Sequence, residues 1–260
     1  MASVRDRAIS ILELLVRHVR GLPMHEIADQ LGIPRTAAHR LLADLREMGY
    51  LKQEVGSTQY LLTVKLASLG LSYLAASGIT DAAQPLLDEL AETTGELARL
   101  AVVEGDQLIW VAKAQGARTG LRYDPDTGSD VYLPATANGL AWLSAVSEDR
   151  ALQLIAKHGM DKAAEMGPGA PSSVRELMNR VEETRERGYA VVYDAYEAGT
   201  SAIAAAICRQ SDREPVGTVS IAGPSIRVTE ERLPVLAPAV QECAQNLAAI
   251  SALSPAFMRR

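Results

Sequence analysis

One short segment near the N-terminus carries side chains whose types and spacing could do chemistry. From Pro34 to Met48 the apolar residues recur at helical spacing, which predicts a helix with one face in a core. The expected core positions are Ala38, Leu41, Leu42, Leu45 and Met48. The other face presents hydrogen-bond donors and positive charge, in Arg35, Thr36, His39 and Arg40. Such a face could contact base edges and phosphates in the major groove of DNA.

The elements around this helix are those of a winged helix-turn-helix. A shorter helix, Glu26–Gly32, precedes it, and a turn at Ile33 and Pro34 joins the two. Two strand-like runs follow, Tyr50–Glu54 and Gln59–Leu62, on either side of a turn at Gly56 and Ser57. This hairpin would be the wing. Contacts from the wing to phosphate or to the minor groove are expected for Lys52, Ser57, Gln59 and Tyr60.

Helix-turn-helix patterns also occur in helical domains that bind no nucleic acid. Here the turn, the donor-bearing face and the wing follow one another within about 40 residues, which favours DNA binding. The whole chain has a net charge of −6, but residues 1–70 carry nine lysines and arginines against seven acidic residues. This N-terminal part, called the head below, is only mildly basic, so a single copy should bind DNA weakly. We therefore expect a homodimer on a palindromic operator in double-stranded DNA.

The composition excludes several other classes of protein. A chain of 260 residues with 48 % hydrophobic and 22 % charged residues can form one large or two medium globular domains. No apolar run is long enough to span a bilayer, and the N-terminus lacks the apolar core of an export signal. Cys208 and Cys243 have no metal-ligand spacing and are expected to be reduced and buried. We expect a cytoplasmic protein without a metal, a cofactor or a membrane contact.

The chain is expected to comprise three parts: a DNA-binding domain at 1–62, a linker helix at 63–79 and a second domain at 80–254. The apolar linker helix either pairs with a partner chain or packs on its own head, and the sequence leaves both alternatives open. The second domain is expected to be α+β, with about six mostly antiparallel strands flanked by helices. Its strand-like runs are 97–103, 107–114, 121–123, 130–133, 189–193, 201–208 and 216–222.

This order of motifs resembles the IclR family of bacterial transcription regulators, from about Arg7 to Ile250. The run RTAAHRLL (Arg35–Leu42) is similar to the family's recognition segment, although Ala37 and Ala38 are smaller than usual. In the second domain the similar segments are LPATANGLAWL, RGYAVVYDAYEAGTSAIAAAI and SIAGPSIRVTEERL. The resemblance implies a GAF-like effector-binding domain and assembly as a dimer or a dimer of dimers.

The resemblance also implies where a small organic effector binds. Carried over position by position, the lining comprises Tyr123, Ala137, Asn138, Gly139, Val192, Asp194, Ala202, Ser220 and Ala222. Val192, Ala202 and Ala222 replace polar residues that acid-binding members carry there. A polar group buried without a partner costs about 1–3 kcal/mol. We therefore expect an effector larger or more apolar than a two- or three-carbon oxoacid, such as an aromatic acid. The alternative is a pocket filled by its own side chains.

Catalysis is not expected from this sequence. It has no G-x-S-x-G, P-loop, zinc or dinucleotide-binding pattern, and three of its four histidines fall in the head. Asp194 and Glu197 are close enough in sequence to act as acid and base, but no recognisable catalytic group accompanies them. The expected function is a DNA-binding regulator of a catabolic operon. The alternative is a scaffold or sensor with a degenerate head.

Overall fold

The computed structural model describes residues 3–54, 56–125 and 130–251. The chain divides into two compact units, Met1–Ala76 and Ser77–Arg260. Each unit contains its own cluster of buried apolar side chains.

The N-terminal unit is a helix-turn-helix with a small antiparallel sheet, as the sequence predicted. Its elements are α1 (Val4–Val16), β1 (Leu22–Pro23), α2 (Met24–Gln30), α3 (Arg35–Glu47), β2 (Leu51–Gln53), β3 (Gln59–Leu62) and α4 (Val64–Ser77). Between α2 and α3, Gly32 takes a left-handed conformation with φ +61°. The N–H of Ile33 then donates to the carbonyl oxygen of Ala28 at 2.9 Å. This turn ends α2 and sets the start of α3.

The sheet of this unit has the strand order β1-β3-β2, so the predicted hairpin gains a third strand. β1 was not predicted because a strand of two residues has no detectable periodicity. It pairs with β3 through Leu22 and Tyr60. Gly21 permits this approach, since a Cβ there would lie 2.7 Å from the carbonyl oxygen of Tyr60. Gly21, in the connection between α1 and β1, therefore admits β1 to the sheet.

Helical periodicity predicted most of the head's core but failed beyond the helix ends. Ala38, Leu41, Leu42 and Leu45 are buried, as expected. The prediction that Met48 faces the core is wrong, because α3 ends at Glu47 and the Met48 side chain is 50 % exposed. Helical spacing also runs from Val4 to Val19 and predicts a first helix there, but Val19 is exposed, since α1 ends three residues before it.

The C-terminal unit is α+β, as predicted, with five antiparallel strands in the order β5-β4-β8-β7-β6. Its elements are α5 (Ile79–Thr94), β4 (Leu97–Glu104), β5 (Gln107–Gln115), α6 (Ala137–Ala145), α7 (Glu148–His158), α8 (Val174–Arg187), β6 (Ala190–Tyr193), β7 (Thr200–Cys208), β8 (Pro215–Pro224) and α9 (Leu233–Ser251). In the helices, the boundaries follow the caps that the sequence supplies. Ser173 caps the start of α8, and Gly188 ends it in a left-handed conformation.

Two of the expected strands do not form. Residues 121–123 form no strand, because their carbonyl groups are bound by side chains: Arg227 donates to Leu121 and Gln115 donates to Tyr123. In the run 130–133, only Asp130 bridges to a strand residue, Ile109. A 3₁₀ turn, Leu133–Ala135, then begins, and its Pro134 has no N–H to donate to a sheet.

Helices cover both faces of the five-stranded sheet. α6 packs on β6, β7 and β8 and is itself covered by α8, whereas α5 and α9 pack on the opposite face. All ten residues of β8 are buried. A strand enclosed on both faces reads as an apolar run without alternation, which is why β8 was recognisable in the sequence.

A buried ion-pair network holds the segment after β5 against the sheet. The Glu96 side chain is 1 % exposed, and its two oxygens accept hydrogen bonds from Arg227 at 2.7 and 2.8 Å. Arg232 lies 3.7 Å from the same carboxylate. Arg227 also donates to the carbonyl oxygen of Leu121. Glu96 therefore fixes the residues that lead into Tyr123.

Replacing Leu42 with alanine tests the core of the head. Leu42 is fully buried, so Leu42→Ala should lower the free energy of unfolding by about 2–5 kcal/mol. Met48→Ala, a similar truncation at a half-exposed position, should cost much less. Urea denaturation of the two variants measures the difference, and equal losses would contradict the described packing.

Replacing Glu96 with glutamine tests the ion-pair network. Glu96→Gln leaves two arginines facing a neutral side chain and should destabilise the protein by about 3–5 kcal/mol. The control is Glu92→Gln, which breaks the exposed pair with Arg118 and should cost less than about 1 kcal/mol. Thermal and chemical denaturation provide the comparison. A small effect of Glu96→Gln would mean that the network does not hold the segment.

Candidate functional site

The first candidate site is the solvent-facing side of α3. Its buried positions lie on one side of the helix, so the residues between them in sequence are presented outward. Arg35, Thr36, His39 and Arg40 are all exposed, and Ala43 is half-buried. The structure thus presents the four predicted donors in the first half of the helix.

Charge is distributed unevenly along the exposed side of α3. The N-terminal half carries Arg35 and Arg40, while the exposed charged residues of the C-terminal half are Asp44, Arg46 and Glu47. The positive end of the helix dipole coincides with the two arginines. A phosphate or a guanine edge would therefore be attracted more strongly to the first two turns, which carry only positive charge, than to the last one, where charges of both signs meet. Helix-turn-helix proteins use this same end of the recognition helix to contact bases.

The wing offers fewer accessible groups than the sequence implied. Lys52 is exposed, but Ser57, Gln59 and Tyr60 are half-buried. The Ser57 hydroxyl accepts the Gln59 N–H at 3.0 Å, and the Tyr60 ring packs against the core of the head. Ser57 and Tyr60 therefore also stabilise the wing itself. Lys52 is the wing residue whose charge is most available to a phosphate.

The second candidate site is a cavity of about 320 Å³ in the C-terminal unit, between the sheet and the start of α6. This volume is at the lower end of the range for small-molecule sites. The lining comprises Arg99, Trp110, Tyr123, Pro125, Asp130, Tyr132, Thr136, Ala137, Asn138, Val192, Tyr196, Thr200, Ser201, Ala202, Ser220 and Ala222. Seven of these are positions that the sequence assigned to an effector site: Tyr123, Ala137, Asn138, Val192, Ala202, Ser220 and Ala222.

Gly139 and Asp194, which the sequence also assigned to the effector site, do not line this cavity. Gly139 packs on the backbone of Leu133, where any Cβ would clash. Asp194 has φ +51° and accepts hydrogen bonds from the Gly199 N–H at 2.6 Å and the Ser225 hydroxyl at 3.1 Å. Its carboxylate therefore shapes the connection between β6 and β7. Those bonds also make it an unsuitable acid–base partner for Glu197.

The sequence did not identify the most polar residue of the cavity, Arg99. It lies in β4, and only 5 % of the residue is exposed. Its guanidinium carbon is 3.5 Å from the centre of the Trp110 ring, a cation–π arrangement. Burial lowers the pKa of Arg99 to about 10, so the group remains charged at neutral pH. A single arginine inside an otherwise apolar strand was the signal that could have revealed it.

Polar groups near Arg99 face the same part of the cavity. Arg99 is directly opposite Ser220 in the pairing of β4 with β8. The Asn138 amide donates to the Thr218 hydroxyl at 2.8 Å, which seats the start of α6 above this strand. Thr136 caps α6 by accepting the Gly139 N–H. Among the described residues, the N–H groups of Ala137 and Asn138 donate to no other protein atom.

The outer wall of the cavity is formed by residues 123–125, which Lys113 holds in place. Lys113 donates to Asp124 at 2.6 Å and to the Pro125 carbonyl at 3.2 Å. The hydrogen bond from Lys113 lowers the pKa of Asp124, so this carboxylate is ionised and paired with Lys113 in the wall. Burial, followed by the nearby charge of Glu197, raises the pKa of Tyr123 to about 12. The Tyr123 hydroxyl therefore stays protonated and can donate a hydrogen bond.

Within 3–54, 56–125 and 130–251, no group of histidine, cysteine and carboxylate side chains is arranged to hold a metal ion. In the same ranges, no helix is both long and apolar enough to cross a membrane. Cys208 is half-buried and Cys243 is buried, and neither forms a disulfide.

Comparison with known proteins gives matches over both units. Residues 5–55 match the IclR helix-turn-helix domain, and residues 71–249 match the C-terminal domain of bacterial IclR transcriptional regulators. The acetate operon repressor of Salmonella typhimurium is 26 % identical over 93 % of this chain and 87 % of its own length. HTH-type transcriptional regulator KipR of Bacillus subtilis is 28 % identical over 93 % of this chain and 94 % of its own length.

Solved structures show the same fold. An IclR transcriptional regulator from Alicyclobacillus acidocaldarius superposes with a TM-score of 0.82 and 25 % identity, over 96 % of this chain and 98 % of that one. An IclR homologue from Microbacterium hydrocarbonoxydans was crystallised with 4-hydroxybenzoate. It superposes with a TM-score of 0.78 and 19 % identity, over 97 % of this chain and 100 % of that one. The family model for the C-terminal domain alone matches more than half of the chain. The chain therefore belongs to the IclR family of DNA-binding transcriptional regulators, which carry an effector-binding domain and are not enzymes.

Proposed function

We propose that this regulator binds a palindromic operator through α3 and changes its DNA affinity when a small organic acid occupies the cavity between the sheet and α6. The combination that supports this is an exposed cationic half-helix in one unit and a cavity with a buried cation in the other. A relative is an acetate operon repressor, which favours a catabolic operon as the target. The site of action is then the cytoplasm.

Some of the proposed DNA contacts recognise the base sequence, and the others position the protein on the DNA backbone. Arg35, Thr36, His39 and Arg40 enter the major groove, where an arginine can bind guanine O6 and N7. Lys52 contacts phosphate, with Ser57, Gln59 and Tyr60 supporting the wing around it. For this activity we assign 1–62 as the DNA-binding domain, 63–79 as the linker and 80–254 as the effector domain.

The proposed operator contact uses two copies of the chain. In α4, the apolar side chains of Val64, Leu69, Leu71 and Tyr73 are at least half exposed. Exposed apolar residues along one helix are typical of a surface that a partner covers. The N-terminal end of α4 does contact its own head, since Lys65 donates to the Met48 carbonyl oxygen. The remaining exposed residues favour pairing with a second copy, as a homodimer or a dimer of dimers.

The proposed effector is an aromatic or larger apolar acid. Val192, Ala202 and Ala222 lie side by side on β6, β7 and β8 and give the cavity an apolar floor. A structural relative was crystallised with 4-hydroxybenzoate, a one-ring acid. A two- or three-carbon oxoacid would leave much of this floor uncovered, whereas a ring would cover it.

Arg40→Ala tests the proposed DNA interface. Losing one arginine–guanine contact costs about 1–3 kcal/mol, and a dimer loses two of them, so operator affinity should fall at least tenfold. Binding is measured by anisotropy over a salt series, with DNA identified by footprinting upstream of neighbouring genes. Arg118→Ala, which removes an exposed arginine from the other unit, should have little effect. Unchanged affinity and salt slope in Arg40→Ala would exclude this residue from the interface.

Ala202→Phe tests the proposed effector cavity. A phenyl group at the centre of the apolar floor would occupy space that a ligand needs. Aromatic and aliphatic acids that raise the melting temperature of the wild type should lose this effect in the variant. Ala164→Phe places the same ring at an exposed position and should keep the response. A normal response in Ala202→Phe would mean that effectors bind elsewhere.

A further inference from the structure

We propose that Thr63 and Lys65, which lie where β3 meets α4, form a clamp between α3 and α4 and thereby determine which half-site spacing the protein accepts. This inference rests on the proposed function, in which α3 contacts the bases and two copies bind one palindromic operator. Neither residue is among the proposed DNA contacts. The contacts that carry the inference all lie within the N-terminal unit, Met1–Ala76.

The Lys65 side chain binds the C-terminal end of α3. That helix ends at Glu47 with Met48 as its C-cap, and the last carbonyl groups of a helix accept no hydrogen bond from the helix itself. The Lys65 ammonium donates to the Met48 carbonyl oxygen at 2.6 Å and lies 4.7 Å from the centre of the Tyr50 ring. Both contacts suit a cation, because the C-terminal end of a helix dipole and the face of an aromatic ring are negative. A side chain from the first turn of α4 is therefore held at the end of α3.

The Thr63 hydroxyl joins the same two elements. It donates to the Gly49 carbonyl oxygen at 2.6 Å and accepts the Lys65 N–H at 3.2 Å, so it caps the start of α4 while it binds the residue that follows Met48. The Thr63 N–H also donates to the Tyr50 carbonyl oxygen at 2.8 Å. One neutral side chain thus connects α4 to the end of α3.

The three carbonyl groups that the clamp binds belong to one short segment, residues 48–50. The N–H groups of Gly49 and Tyr50 donate back to carbonyl oxygens in the last turn of α3, at 2.9 Å each. The segment is therefore bonded to α3 on one side and to Thr63 and Lys65 on the other. These bonds fix the angle between α3 and α4, which a loop of the same length would leave free.

A fixed angle between the two helices has a consequence for DNA binding. In the proposed dimer α4 pairs with the second copy, so the angle sets the distance and the rotation between the two copies of α3. Each α3 must enter a major groove, and one added base pair moves a half-site by about 3.4 Å along the duplex and about 35° around it. A rigid clamp cannot follow this change, whereas a loosened one can.

Lys65 is exposed, so direct contact with a DNA phosphate is the alternative role for its charge. The two roles differ in salt dependence, because loss of one phosphate contact lowers the slope of log affinity against log salt by about one. Loss of a positioning contact leaves the slope unchanged. The Thr63 hydroxyl carries no charge and releases no counterion, so it provides an independent probe of the clamp.

The test measures spacing preference with the full chain. Fluorescence anisotropy compares the footprinted operator, the same operator with one base pair inserted between its half-sites, and a single half-site. The wild type should bind the native spacing at least tenfold more tightly than the altered one. Lys65→Met and Thr63→Val should each bind the native spacing more weakly and reduce the preference at least threefold, with the salt slope of the wild type. Lys65→Arg and Thr63→Ser keep the donor groups and should restore most of the preference.

Two control variants separate the clamp from charge effects. Lys52→Met removes the proposed phosphate contact of the wing, so it should weaken binding to both spacings equally and lower the salt slope by about one per copy. Lys162→Met removes an exposed lysine from the other unit and should behave as the wild type does. Melting curves check that each variant is folded. Should Thr63→Val not fold, Lys65→Met and Lys65→Arg decide alone, since Lys65 is exposed.

Several results would overturn the clamp. An unchanged spacing preference in Lys65→Met is one of them, and a lower salt slope with equal losses on both spacings is another, since it would make Lys65 a phosphate contact. A wild type that prefers the palindrome to a single half-site but accepts both spacings equally would reject the clamp and keep the proposed function. Equal binding of the palindrome and the single half-site would instead reject the two-copy operator contact, and the clamp with it.

Discussion

The C-terminal unit depends on one constraint, which is that the side chains of the sheet beneath the start of α6 are short. Protein interiors pack densely, so a cavity persists only where neighbouring side chains are too short to fill it. The apolar floor consists of Val192, Ala202 and Ala222 on β6, β7 and β8, and Ala137 begins the helix above them. Gly139 lets that helix approach the Leu133 backbone. The same short residues thus bring α6 close to the sheet and leave space at its N-terminal end.

Two buried charges in this unit have different surroundings and different consequences. Glu96 is held by two arginines of its own chain, so its charge is compensated by the fold. Arg99 lies on a ring at the wall of a cavity, where a ligand can approach it. The first arrangement fixes the segment leading to Tyr123, and the second places a charged side chain on the wall of the cavity.

Local sequence signals predicted the head better than the cavity. The period of α3 identified both its core and its exposed donors, because a helix face is set by spacing within one segment. The short β1 strand and the exposure of Met48 depend on where helices end and strands meet, which periodicity does not report. The cavity joins residues from five strands, a helix and the connecting segments. Resemblance supplied seven of its lining positions, whereas Arg99 was hidden within an apolar strand.

The covalent path from the cavity to the head runs through α5 and α4. Arg99 and Trp110 lie on β4 and β5, and α5 packs directly on both strands. Gly78, with φ +66°, separates α5 from α4 and interrupts what would otherwise be one continuous helix. Along the chain, α5 therefore joins the strands that carry Arg99 and Trp110 to the junction at Gly78. Ligand binding changes DNA affinity only if the ligand prefers one arrangement of that junction, since equal affinity for both arrangements shifts neither.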